Sequence, residues 1–369
     1  MAFIGLGMDR SKYWFFLLST LFYLFRSYLF RANYSCDPLI KVLFMSVGMM
    51  LSLLLAFVSK KLNNTQNSYR VMDTGKLTLK ILLAIFSLNL LDSIGFFLLN
   101  YGSNFKGTFY GIDELHILLQ FFIVAVILFF LKKLIMYKHH IFFVLFMVIG
   151  LVIILCSNLA DRNIEANLNI LFQVFSSCLY AVLLVGEKWL MEYKFISPYI
   201  LVGLEGLFSF ITTGIILLLR IFVFKDSSYF EKIENFTQAG FIIQAILFII
   251  CSLGYNVFVM LINQSFGATN RVVADFLSYF ISLIINSIFN LDDIPPQVIA
   301  ILFFGYLFVS VGTVGFNEII IFFFYGLEEN TYMFIKNRSD NTEKVTQGDL
   351  GGRKSCIYME MKDEERDSL

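Results

Sequence analysis

Stretches of about 20 apolar residues, enough to cross a hydrocarbon core about 30 Å thick, recur along this chain with short polar punctuation between them. Coarse spans run over 13–30, 39–59, 79–99, 112–131, 139–157, 168–190, 198–221, 239–262, 270–289 and 297–323. Hydrophobic residues make up 58% of 369 positions and Phe alone contributes 44, well beyond the apolar share of a soluble domain. The expected fold is therefore an all-α polytopic membrane protein with ten transmembrane helices. The first span follows Arg10 and Lys12 but lacks a small-residue cleavage site, so it reads as a retained helix and not a signal peptide.

Basic residues mark the cytosolic loops. Lys60, Lys61, Arg70, Lys76, Lys132, Lys133, Lys138 and Lys194 fall in alternate loops, which share a side with Arg10 and Lys12 if the N-terminus is cytosolic. An even helix count returns the C-terminus to that side. The opposite loops carry Asp37, Asp161, Glu165, Asp226, Glu231, Asp292 and Asp293. Two N-x-S/T acceptors, at Asn33 and Asn235, fall in loops placed outside the cytosol and are candidate glycosylation sites. Matches at Asn63, Asn263 and Asn337 fall on the cytosolic side, so the pattern alone decides little.

A formal net charge of zero gives no reason to expect nucleic acid as a partner. The five cysteines show no C-x-x-C spacing, which argues against a metal site or disulfide framework. No cofactor is expected. After Tyr325 the composition turns polar, and residues 326–369 read as a disordered cytosolic tail. Within it, Tyr358-Met359-Glu360-Met361 has the form of an endosomal or lysosomal sorting signal, so Tyr358 and Met361 are candidate contacts for a sorting adaptor.

Splitting the helices near residues 158–167 gives five before and five after, in residues 1–157 and 168–323. Because five is odd, the two sets face opposite sides, which is an inverted repeat. Transporters built this way hold substrate between the repeats near the bilayer midplane.

Ionisable residues inside membrane helices cost about 2.5–3.5 kcal/mol each on insertion scales and usually face a partner or a cavity. Arg26 lies near the end of the first helix, where snorkelling to the interface is the simpler reading. Asp92 in "LNLLDSIGFFLL" lies several turns deep, beyond the reach of a short side chain to the surface. Glu205 sits between Gly203 and Gly206, which admit either a close neighbouring helix or a ligand. Glu187 and Lys188 in "LVGEKWLM" read as a site pair or a solvated helix end. His116 and the pair His139-His140 read as interfacial, since no nearby carboxylate or cysteine completes a metal pattern.

Arg271 and Asp275 are four residues apart, on one helical face, and can neutralise each other. Arg before Asp is the weaker order for such a pair, however, and Arg near a helix N-terminus opposes the macrodipole. A guanidinium beside that positive end makes a receptor for a carboxylate or phosphate.

At these residues the chain resembles a known family. "VGLEGLFSF", "GEKWLMEYKFISP", "GATNRVVADFLSYF" and "QVIAILFFGYLFVSVGTVGFN" are similar in kind and spacing to the second half of the F-type solute carrier 35 proteins, within the drug/metabolite transporter superfamily. "LLDSIGFFLLNYG" extends the likeness faintly into the first half. The resemblance matches Asp92, Glu187, Lys188, Glu205, Arg271, Asp275, Gly312 and Asn317. It departs at Met49, where the family has an acidic residue after the glycine, and in "ELHILLQFF", where the family has an arginine.

These readings together imply a ten-helix transporter that moves a small polar or anionic organic metabolite, nucleotide-sugar-like or proton-coupled, by alternating access across an endomembrane. Lysosome or late endosome is the expected compartment, with Golgi or mitochondrion as alternatives. Arg271 is expected to hold negative charge on the substrate, and Asp92 or Glu205 to carry a proton. The expected partners are the solute, the lipid bilayer, a second copy of the chain in a homodimer, and a sorting adaptor. An enzyme is not expected, because no loop is long enough to look catalytic. A non-transporting scaffold or receptor on the same fold, and less so a membrane-embedded transferase, are the competing classes.

Overall fold

The computed structural model describes residues 4–6, 13–29, 38–65, 77–103, 112–131, 137–156, 164–222, 239–288, 296–318, 320–322 and 331. Eleven helices account for almost all of them: α1 Tyr13–Leu29, α2 Pro38–Met50, α3 Ser52–Thr65, α4 Leu79–Ser103, α5 Ile112–Phe130, α6 Lys138–Cys156, α7 Ile164–Tyr193, α8 Pro198–Phe222, α9 Ala239–Phe266, α10 Ala268–Ile288 and α11 Pro296–Phe316. Helix is what an apolar run must form in lipid, where no water satisfies the backbone. Leu51 separates α2 from α3 without breaking the path, since its N–H still reaches the Val47 carbonyl at 3.2 Å.

Six helical stretches are long and apolar enough to cross a membrane: Leu39–Val58, Leu79–Leu99, Asn169–Tyr193, Pro198–Phe222, Gly240–Phe266 and Val298–Phe316. Trp14–Leu29, His116–Phe130 and Lys138–Ile154 are shorter apolar helices. Side-chain polarity is arranged inside out. On α1, Trp14, Leu17, Leu21 and Phe25 are exposed while Ser19, Thr20 and Tyr23 are buried. On α8, Ile211, Ile215, Leu218 and Phe222 are exposed while Glu205, Ser209 and Thr213 are buried. Such a surface suits lipid, and the buried hydroxyls bond within the bundle, as in Ser46 to Ser209 at 2.9 Å.

Neighbouring helices pack across long sequence separations. The most extensive packing joins α6 to α11, followed by α1 with α9, α4 with α7, and α2 with α8. A core of Phe121, Met147, Leu184, Val273, Phe276 and Tyr306 ties α5, α6, α7, α10 and α11 together.

The last expected span, 297–323, ends early as a helix. α11 stops at Phe316, where Asn317 donates back to the Thr313 carbonyl at 2.9 Å and Glu318 turns into the left-handed region with φ of 53°. A left-handed residue just past the helix is a common terminator. Beyond it β2, Ile320–Phe322, pairs antiparallel with β1, Ile4–Leu6. Another sharp break that matters for the site is Gly267, whose φ of +103° lets α9 end and α10 begin one residue later. The Arg271 N–H then donates to the Gly267 carbonyl at 3.2 Å, so this glycine sets where Arg271 enters the bundle.

Candidate functional site

Four carboxylates and an arginine converge where α4, α7, α8 and α10 meet. α4 is held against α8 by Asn89, which donates to the Glu205 carbonyl at 3.2 Å, and one turn later presents Asp92. α7 contributes Glu187, 1% exposed, whose Oε2 accepts from Asn263 of α9 at 3.1 Å. Arg271 of α10 places Nη1 on the same Glu187 oxygen as an ion pair. The four-residue pairing of Arg271 with Asp275 is therefore replaced by partners on other helices. Asp275 accepts from the Tyr255 hydroxyl of α9 at 2.5 Å.

These groups line a cavity of about 500 Å³ whose walls include Arg26, Lys41, Asp92, Tyr180, Arg271 and Asp275. A smaller one of about 70 Å³ shares Asp92 and Arg271 with it and adds Asn89, Glu187 and Glu205. Among the described residues Glu205 Oε1 and Arg271 Nε are buried without a hydrogen-bond partner. Opposite charges at close range in a medium of low dielectric attract far more strongly than in water, which is why Arg271 and Glu187 are held together.

Of the six ionisable residues singled out in the sequence, five lie on these two cavities. Lys188 points elsewhere: its Nζ donates to the Gln264 carbonyl at 2.6 Å and pairs with Glu192 at 3.1 Å. Gly203 and Gly206 serve close packing, since a Cβ on Gly206 would sit 2.6 Å from the Met49 Cβ on α2. Met49, the departure from the family pattern, lines the smaller cavity. Asn33, Asn235, Tyr358, Met361 and the tail 326–369, apart from Thr331, lie outside the described residues.

Arg26 is a correction. It does not simply snorkel to the interface but lines the larger cavity, with its guanidinium 4.2 Å from the centre of the Tyr255 ring and Nη1 3.5 Å from Met45 Sδ. Tyr180, Tyr255 and Tyr279, not expected at the site from composition, line the larger cavity as well. A signal was present: Tyr279 follows Arg271 and Asp275 at the same four-residue step, so all three share one face of α10.

His139 and His140 do gain a carboxylate, from Glu318 at the far end of the chain, with His139 Nε2 3.1 Å from Glu318 Oε1. The three could hold a metal ion by distance alone. His140 Nδ1, however, accepts the Tyr137 N–H at 3.1 Å, which puts the proton of the neutral ring on Nε2. The cluster therefore reads as a packing contact between the start of α6 and the end of α11, joined by the approach of His139 to Glu318.

No protein family and no curated protein matches the chain in sequence. Solved structures do match its shape. One, described as "Crystal structure of protein", superposes with a TM-score of 0.55 over 84% of this chain and 96% of its own, at 12% identity. At that identity the likeness concerns the fold alone.

Proposed function

We propose that this chain is a membrane transporter of the drug/metabolite type, akin to the F-type solute carrier 35 proteins, which moves a small polar or anionic organic metabolite by alternating access. The observation that carries the reading is the cavity of about 500 Å³, walled by charged side chains inside a bundle whose outer faces are apolar. Its size falls in the range of small-molecule sites, about 300–1,000 Å³. Charges in such a place are expensive unless they act on a solute or on one another.

Helix packing supports ten helices as two inverted repeats. With α2 and α3 counted as one helix, a shift of five along the chain turns the α1–α9 packing into α7–α4, and α1–α10 into α7–α5. The same shift maps α2–α8, α5–α10 and α6–α11 onto themselves. The β1–β2 pairing brings the segment before α1 beside the segment after α11, in keeping with both lying on one side, and the loop charges favour the cytosol for that side. Asp92 or Glu205 is the group we assign to proton coupling, and lysosome or late endosome is the compartment that the tyrosine motif in the tail favours.

A metabolite screen by thermal stabilisation of the purified full chain tests this, since a ligand of the folded state raises its apparent stability. A stabilising solute should then exchange across proteoliposome membranes in counterflow. Stabilisation without counterflow would favour the receptor reading over transport.

A further inference from the structure

Two opposite charges on the larger cavity have no partner of their own. Arg26 of α1 makes no ion pair among the described residues; its contacts are the Tyr255 and Tyr23 rings and the Met45 sulfur, a weak acceptor. Asp275 feels its field but is held by the Tyr255 hydroxyl. Asp92 of α4 likewise makes no hydrogen bond or ion pair among the described residues, and the nearby Arg271 is engaged with Glu187. Of the other charges on the larger cavity, Arg271 pairs with Glu187, Asp275 accepts from Tyr255 and Lys41 has an interaction of its own, while Glu205 lies on the smaller cavity.

We infer that the ligand of this cavity is a zwitterion, a small metabolite carrying one anionic and one cationic group. Its anion would meet Arg26, and its cation would meet Asp92. The inference rests on the transporter reading for its biological sense, but not for its chemistry. A lone buried charge costs several kcal/mol unless compensated, so a ligand with both signs relieves two costs at once. A singly charged anion would satisfy Arg26 and leave Asp92 facing it. A polyanion fits worse: across both cavities the three cations Arg26, Lys41 and Arg271 face four carboxylates, Asp92, Asp275, Glu187 and Glu205, so there is no surplus of positive charge to hold it. The cavity walls also carry the rings of Phe96, Tyr180, Tyr255 and Tyr279 beside aliphatic side chains, which suits an apolar or aromatic middle and offers cation–π attraction to an ammonium.

The test uses the full chain in detergent and three matched probe sets: ω-amino acids from glycine to 6-aminohexanoate together with L-phenylalanine, the corresponding carboxylates without the amine, and the corresponding amines without the carboxylate. Thermal stabilisation should favour the best zwitterion over either singly charged counterpart by about tenfold or more in apparent Kd. In Arg26→Gln the zwitterion should bind no better than its amine, and in Asp92→Asn no better than its carboxylate. A purely structural role would instead weaken all three probes in parallel. If a neutral variant does not fold, Asp92→Glu and Arg26→Lys keep the charges but move them, and the preferred chain length in the ω-amino acid series should shift. Equal binding of zwitterion and carboxylate by the wild type, no stabilisation by any zwitterion, parallel loss in the variants, or an unmoved length optimum would each overturn the assignment. Zwitterion binding without counterflow in proteoliposomes would defeat transport and leave the ligand class standing. Counterflow of a carboxylate with no preference for its zwitterion would do the reverse.

Discussion

Gly206→Ala puts one methyl group where α2 already lies. The new Cβ would stand 2.6 Å from Met49 Cβ, 2.8 Å from Met50 N and 2.9 Å from the Ser46 carbonyl oxygen, against an ordinary contact of 3.4 Å or more. Two of those atoms are backbone, so no side-chain rotation relieves the clash and α2 must retreat by roughly half an ångström. Overpacking of this kind costs about 1–3 kcal/mol. The retreat also stretches the Ser46–Ser209 hydrogen bond of 2.9 Å and the one from Ser52 to the Tyr199 carbonyl of 2.7 Å, worth about 1 kcal/mol each when intact. Against this, Ala favours the helix over Gly by about 1 kcal/mol. The net expected loss is about 2–4 kcal/mol with both hydrogen bonds lost.

Gly214, two turns along the same α8, supplies the control, because a Cβ there meets nothing within 4 Å. Gly214→Ala should be neutral or stabilise by up to about 1 kcal/mol. Thermal unfolding of the two purified variants in one detergent should therefore separate them by several degrees. If Gly206→Ala melts within a degree of Gly214→Ala, the α2–α8 contact is looser than described and the close-packing role of this glycine is wrong.

Glu187→Gln alone leaves the Arg271 guanidinium buried without its counter-charge and should cost about 3–5 kcal/mol, whereas Glu187→Gln with Arg271→Met should recover most of that loss. A double-mutant cycle by thermal or denaturant unfolding that returned simple additivity would show that the pair is not coupled. Tyr358→Ala should move the protein from endolysosomal membranes to the cell surface, and an unchanged distribution by microscopy would remove the tail motif from consideration.

The helices and the rarity of charge among them were legible because both follow from local composition. An apolar run of twenty residues has no alternative to helix in lipid, so the positions of α4, α8 and α9 could be read off the chain. A carboxylate as deep as Asp92 stands out against Leu, Ile and Phe whatever the fold. What composition cannot say is which helix comes next to which. The Glu187–Arg271 pair joins residues 84 apart, and His139 meets a Glu318 that no local window around it contains. Arg26 was misread for a related reason. Nearness to a helix end in sequence suggests an interface, yet α1 packs against α9 and α10, and the aromatic faces of Tyr23 and Tyr255 draw the guanidinium inward.

The face of α10 shows how far a local rule carries and where it stops. Period alone puts Arg271, Asp275 and Tyr279 on one stripe, and the default reading of an Arg and an Asp four apart is an internal salt bridge. That order is the weaker one on a helix, and a bridge within α10 would leave Glu187 of α7 with only the Asn263 amide and take from the Tyr255 hydroxyl of α9 its carboxylate acceptor. Turning Arg271 to Glu187 and Asp275 to Tyr255 satisfies four buried groups where the internal pair would satisfy two. The same two contacts fasten α10 to both of its neighbours. The helix pairings that the sequence withholds thus follow in part from which arrangement leaves fewer polar groups alone, and on the larger cavity Arg26 and Asp92 are the charges that this pairing does not engage.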